Sequence, residues 1–346
     1  MRRLDAFLTA GVAAVVLGVG CTPATAPGRT PTAPVAEPTA AAPRTIQIDV
    51  AVRDAPYAFY FIGIDKGLYA EEGLNVELVS SGGTTSVAAV LSGDMPFTTA
   101  ASASLSAILK GAPLKIILTN MDRPAYELWS SEDDIRGLAD LQGRAVGIIS
   151  RGDTMEVSTR LAMQQAGLDP NSVAFTALGP DTARLASLES GALPAAVLGI
   201  GDAQKLRRSG PRGHEVADLG AEVKMLFNGL ATSDRLLQED PDLVSRFLRA
   251  TIKAREYFRT YKDETLQIVS KYNGAPRAVN EPDYDSIIAT MTADGTLPEE
   301  VQSADSVVRA GLIGAPGVRP LAEMFDYRLS RQIYAELHQS GWQPQP

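Results

Sequence analysis

The chain has 346 residues, 45% apolar and 21% charged, with a formal net charge of −9. That length exceeds one ordinary core and suits two domains, and a composition near the globular average excludes collagen, long coiled coil and wholesale disorder. The acidic balance argues against a nucleic-acid partner; a single cysteine excludes an internal disulfide and a thiol-held metal cluster.

In chain order the first element is an address. Met1-Arg2-Arg3 is positive and Ala6 to Gly20 is apolar, shorter than the roughly 20 residues of a membrane span. Residues 1–20 therefore read as a secretory signal. Leu17-Gly18-Val19-Gly20-Cys21 resembles a bacterial lipobox, with the leucine one place further out than usual. The resemblance implies that Cys21 is lipidated and anchors the chain; an incidental cysteine is the alternative. Residues 21–44 are Thr, Pro and Ala rich and hold six of the 22 prolines. Such a segment buries too little to repay its ordering, and extended at about 3.1 Å per residue it reads as a tether. No later apolar run is long enough to span a bilayer.

From Thr45 strands alternate with helices. Ile46, Ile48, Val50 and Val52 set a period of two, the strand signature. A helix start at Ala58 to Ile62 and a second segment, Lys66 to Glu72, follow, with Gly73 as the expected cap. Asn75 to Val79 is predicted as strand, Gly82-Gly83-Thr84 as the opening of a helix ending at Gly93, Phe97 to Ala100 as strand, Ser102 to Lys110 as helix and Lys115 to Leu118 as strand. The order then repeats: strand Ala145 to Ile149, helix Thr154 to Ala166, strand Val173 to Leu178, helix Thr182 to Ser190, strand Ala195 to Leu198. Gly73-Leu74 recurs as Gly167-Leu168, and Ser92-Gly93-Asp94-Met95-Pro96 as Ser190-Gly191-Ala192-Leu193-Pro194. Two similar α/β lobes are the favoured reading, one doubly wound sheet the alternative. The C-terminal third is helical, with segments at Asp234 to Tyr261 (a second helix starting at Pro241), Leu266 to Tyr272, Tyr284 to Met291, Ser303 to Ala310 and Leu321 to Leu337, read as packing on the first lobe.

Three stretches carry a family likeness. Gly63-Ile64-Asp65-Lys66-Gly67-Leu68-Tyr69-Ala70-Glu71-Glu72-Gly73-Leu74-Asn75-Val76-Glu77, Asp140-Leu141-Gln142-Gly143-Arg144-Ala145-Val146-Gly147, and Ala231-Thr232-Ser233 leading into Leu236 to Pro241 resemble the nitrate/sulfonate/taurine and thiamine-precursor substrate-binding proteins. The resemblance runs from about Thr45 to about Tyr261. It implies a two-lobe periplasmic-binding-protein type II fold, each lobe a mixed α/β sheet flanked by helices, with the ligand cleft between lobes. It also implies delivery of the ligand to the permease subunits of an ABC importer. Pro96 and Pro194 stand where the family commonly has Asp. The expected division is 1–20 signal, 21–44 lipidated cysteine and tether, 45–121 plus 234–346 first lobe, and 122–233 second lobe.

In open α/β lobes ligands lie beyond the carboxyl ends of strands, where helix N-termini offer free N–H groups. Five such places can be named: Tyr57 and Ala58; Gly82, Gly83, Thr84 and Thr85; Ala101 and Ser102; Arg151, Gly152, Asp153 and Thr154; Gly199, Ile200, Gly201 and Asp202. Each has a plainer reading beside it. Thr84, Asp153 and Thr154 serve equally as helix caps, Gly82-Gly83 as a turn, Arg151 as a solvated arginine or a partner for a carboxylate or sulfonate, and Tyr57 as a stacking ring or a core seal. Lys205, Arg207, Arg208 and Arg212 read as a solvated face, with a permease contact as the alternative.

The expectation is an extracytoplasmic, membrane-anchored solute-binding lipoprotein, monomeric, without cofactor, metal or catalytic residues. Its ligand is expected to be a small organic molecule, anionic (sulfonate or carboxylate) or heterocyclic. A ligand-sensing lipoprotein for a signalling partner and a carboxylate-based lyase using Asp153 and Asp202 are the alternatives. Same-fold enzymes with a cysteine-rich motif are excluded, since no cysteine follows Cys21. The two histidines, His214 and His338, fall outside the predicted pocket loops.

Overall fold

Ile46, Ile48 and Val50 are buried along strand β1 (Arg44–Val50), as their alternation predicts. The computed structural model describes residues 43–209 and 213–346, together with Ala14 and Gly18. Apart from those two positions, the leader, Cys21 and the tether up to residue 42 lie outside the described residues, as does Arg212.

β1 pairs in parallel with β2 (Leu74–Ser80), Arg44 opposite Leu74 and Val50 opposite Ser80, and with the short β3 (Phe97–Thr98). The strand β4 (Leu114–Met121) lies at the far edge. A second sheet holds β5 (Tyr126–Ser130), β6 (Ala145–Ile148), β7 (Ala174–Ala177), β8 (Ala195–Gly199) and β9 (His214–Asp218). β10 (Asn228–Ser233) returns to the first sheet. The strand orders are β2-β1-β3-β10-β4 and β7-β6-β8-β5-β9. They are the same pattern: three parallel strands, one antiparallel strand supplied from across the molecule, then an edge. Each sheet is covered by apolar helices on its faces, giving cores around Ile48, Phe59 and Phe247 and around Leu105 and Ile116 in the first lobe. Val146, Leu161 and Val197 mark the main core of the second.

The family-like glycine block has a packing reason. Tyr69 lies so close to the helix Ala58–Asp65 that a Cβ at Gly63 would stand 2.4 Å from its ring. Gly73 takes the left-handed conformation, φ +68°, and ends the next helical turn as expected.

Three features depart from the sequence reading. The crossing strands β5 and β10 and the edge strand β9 escaped it, because β10 reads Asn-Gly-Leu-Ala-Thr-Ser and is buried throughout, with no alternation to detect. β10 joins the first sheet, so residues 228–233 complete that sheet although they fell in the expected second-lobe span. The single helix expected over Leu321 to Leu337 breaks between Leu321–Met324 and Arg328–Gln339. There buried Phe325 bridges to Ile116, whose carbonyl accepts the Asp326 N–H at 2.8 Å.

The C-terminal helices also do more than cover the first lobe. The helix Glu299–Ile313 packs on both Ala101–Leu109 and Thr154–Gln165, one in each lobe, and Arg277–Thr290 touches Ile200–Ser209 of the second. The chain crosses between sheets at residues 122–125 and 223–227. The crossings hold each other: Met225 N–H donates to Asp122 O at 2.8 Å and Phe227 N–H to Met121 O at 3.3 Å.

Candidate functional site

The carboxyl ends of β1, β2, β3, β6 and β8 open onto one cavity of about 1070 Å³ between the sheets. Each of the five loops named from the sequence contributes to its wall. Tyr57, Gly82, Gly83, Thr84, Ala101 and Ser102 line it from the first lobe, and Arg151 through Thr154 and Gly199 through Asp202 from the second. Ala58 and Thr85 lie outside the lining: Ala58 is fully buried in the core beneath, and Thr85 is exposed on its helix.

The plainer cap reading holds for Asp153 alone: Thr84 and Thr154 stand inside the first turns of their helices, and the helix Gly83–Ser92 has Gly82 at its cap with no side-chain bond. Asp153 caps the helix Thr154–Gln165, accepting the N–H of Glu156 on one carboxylate oxygen and that of Ser150 on the other, both at 2.9 Å. Burial pushes its carboxyl up against the pull of those bonds. Gly152, at φ +77°, supplies a left-handed turn that lets its N–H reach Glu156 Oε2 at 2.8 Å. Thr154 Oγ1 meets the Tyr126 hydroxyl at 2.8 Å.

The cations of the wall are already engaged. Arg151, exposed over half its side chain, pairs with buried Glu156 at 3.1 Å, and Lys205 pairs with Asp202 at 2.7 Å. Lys205 keeps the solvated position expected of it, its side chain 73% exposed, and also borders the cleft. Its neighbour Arg207 turns away to Glu127 at 2.7 Å.

Sequence reasoning missed the residues that topology delivers. Asp49, one residue before the end of β1, is fully buried and lines the cavity. Thr99 donates to it twice, from N–H at 2.9 Å and from Oγ1 at 3.1 Å, and burial pushes its carboxyl up despite them. Tyr126, Phe227 and Asn228 come from the two crossings. Tyr126 and Phe227 meet edge to face, ring centres 5.2 Å apart, and burial raises the Tyr126 hydroxyl to about 12. Asp283, Ile287, Arg309 and Ile313 arrive from the C-terminal helices. An expected signal for Asp49 existed in retrospect: it is a charged residue inside a strand otherwise buried at that end.

Chemically the cleft is a large, largely apolar slot, with Ile149, Ile200, Ile287 and three aromatic rings among its walls. The carboxylates Asp49, Asp54, Asp153, Asp202 and Asp283 outnumber its cations. Among the described residues no group of acidic, histidine or cysteine side chains is spaced to hold a metal ion.

A family model described as "NMT1/THI5 like" matches residues 55–265. The riboflavin-binding protein RibY of Chloroflexus aurantiacus is 27% identical over 280 residues, 75% of this chain and 76% of that protein. Among solved structures, the periplasmic aliphatic sulphonate binding protein SsuA of Escherichia coli superposes with a TM-score of 0.64 at 16% identity, covering 81% of this chain and 91% of that one. The desulfurization enzyme DSZB superposes at 0.55 and 13% identity, covering 85% and 99%. At those identities the two structures establish the fold.

Proposed function

Because the chain belongs to the NMT1/THI5-like family, we propose that it is an extracytoplasmic solute-binding protein whose two lobes close on a small ligand and present it to an ABC permease. The ligand in this reading is a neutral, flat heterocycle with hydroxyl or amide groups, of the flavin kind, rather than a sulfonate. The observation that carries the choice is the state of the cleft's cations: Arg151, Lys205 and Arg309 are each paired with a carboxylate of the protein. An anion entering there would meet a surplus of negative charge, and each cation it meets already has a carboxylate partner. A ring with N–H and O–H donors instead meets a surplus of carboxylate acceptors and finds flat partners in Tyr57, Tyr126 and Phe227. The volume supports the same choice, since about 1070 Å³ lies at the upper end of pockets for drug-sized molecules. The likeness to RibY agrees with it.

Binding rather than turnover is favoured by the carboxylates once considered for acid–base work. Asp153 is committed to a helix cap and Asp202 to Lys205. The lipid anchor at Cys21 belongs to the same proposal and rests on the sequence of the leader.

The test is a titration of the full chain with riboflavin, read by quenching of flavin fluorescence, alongside small-angle scattering. Expected are a micromolar or tighter complex, a decrease in radius of gyration on saturation, no competition by taurine, and riboflavin recovered unchanged. Sulfonate binding without riboflavin binding reverses the ligand class. No compaction with any bound ligand removes the closing mechanism.

A further inference from the structure

The helix Glu299–Ile313 brings a buried ion pair to the point where the cleft floor meets the hinge. Arg309 and Asp305 have side chains 1% and 0% exposed, 2.9 Å apart. Arg309 donates from Nε (3.2 Å) and Nη2 (2.9 Å) to Asp305 Oδ1. Its Nη1 donates to Ser102 Oγ at 2.8 Å, in the first turn of the helix that opens onto the cavity. The other carboxylate oxygen, Asp305 Oδ2, accepts the N–H of Leu226 at 2.9 Å. Leu226 lies in the second crossing between Met225 and Phe227, whose own N–H groups bind Asp122 in the first crossing and Met121 at the end of β4. The hinge backbone is therefore held from two sides, by its partner crossing and by Asp305.

One pair thus touches both ligand space and hinge. Arg309 and Ser102 line the cavity, as does Phe227, next to Leu226. A pair this deeply buried is costly unless each hydrogen-bonding position is used, and Asp305 uses one oxygen for each of its two tasks.

We propose that the Arg309–Asp305 pair is a positioning device that couples the cleft floor at Ser102 to the hinge at Leu226, so that a ligand seated against Ser102 acts on the contact that holds the hinge backbone. The coupling to ligand rests on the cleft being the solute site; the clamp on Leu226 does not. Asp305 and Arg309 lie beyond residues 55–265, in the part of the chain outside the family match.

The experiment is hydrogen exchange at the Leu226 amide in the full chain, without ligand and then with riboflavin. Arg309→Lys keeps the charge and most of the packing, but a single ammonium cannot span Asp305 and Ser102. Expected without ligand is at least tenfold faster exchange at Leu226, with the amides of β6 within twofold of the parent chain. Uniformly faster exchange would mark a general loss of stability, and Leu226 exchange within twofold of the parent would show no clamp; either result overturns the proposal. Should Arg309→Lys fail to fold, Ser102→Ala removes only the cleft end of the bridge. It is expected to speed Leu226 exchange at least threefold, and no change there is equally fatal. With riboflavin, the parent should slow exchange at Leu226 and Arg309→Lys should bind at least tenfold more weakly. A parent chain that ignores riboflavin strikes the ligand class, while the ligand-free exchange still decides the clamp.

Discussion

Asp283 shows how a side chain remote in sequence comes to govern the cleft. It belongs to the helix Arg277–Thr290, yet its Oδ1 stands 4.0 Å from where a Cβ would sit on Gly201, at the start of a helix of the opposite lobe. Burial, with Asp54 and Asp202 nearby, pushes its carboxyl up to about 6, against the opposing pull of Lys205. The folded chain therefore binds this proton more tightly than the unfolded chain, whose value is near 3.8, and stability falls as pH rises from about 4 to about 6. Asp283→Asn removes the ionisable group. It should stabilise the protein at pH 7 by about 1 kcal/mol, the full two-unit shift being reduced by solvent screening at a partly exposed side chain. Below pH 4 the gain should vanish, and urea unfolding at both pH values checks it. Equal gains at both would show that the amide acts through packing instead.

At the scale of elements, the helix Pro241–Thr260 is fixed by one buried arginine. Arg255 donates to the Tyr334 hydroxyl at 2.9 Å, Asn120 Oδ1 at 2.8 Å and both Thr292 oxygens at 2.7 and 3.0 Å, tying that helix to β4 and to the helix Arg328–Gln339. Arg255→Met preserves most of the volume but takes the donor from buried Asn120 Oδ1 and the Tyr334 hydroxyl, while Thr292 O keeps its bond from Arg259. A loss of about 3 kcal/mol is expected in urea unfolding, within the range for broken buried networks; a loss under about 1 kcal/mol would mean that water replaces the guanidinium. Such ties were not legible in the sequence. The elements that were legible carry local marks: alternation in β1, glycine caps at Gly73 and Gly93, and Gly-, Ser- or Thr-rich helix starts at four of the five cleft loops, the fifth, at Tyr57 and Ala58, being marked only by the end of β1. β5 and β10 carry none, because a strand buried on both faces within a mixed sheet needs no polar alternation. The cleft residues that those strands and the C-terminal helices bring in, Tyr126, Phe227, Asp283 and Arg309, were invisible for the same reason. Their place depends on pairings across the whole chain, not on their neighbours.

For the molecule as a whole, the proposed anchor and the folded part are separable devices. Cys21→Ser should shift the protein from the membrane to the soluble fraction on cell fractionation, with riboflavin affinity unchanged. Retention in the membrane fraction would remove the anchor from the proposal. Affinity should be indifferent because the cavity is built within residues 42–346, which form one compact unit.

The strand orders have a consequence for how the chain assembles as it is made. The five strands of the second sheet span Tyr126 to Asp218 without interruption, whereas the first sheet places β10 between β3 and β4. Until residues 228–233 emerge, β4 has no strand to pair with and the first sheet stays split, with its long-range closure still to come. The lobe that begins first is thus finished last, and the later-made one closes ahead of it. The ligand cleft is completed only when the C-terminal helices add their lining residues, Asp283, Ile287, Arg309 and Ile313 among them, to walls whose other residues are made before β10 ends.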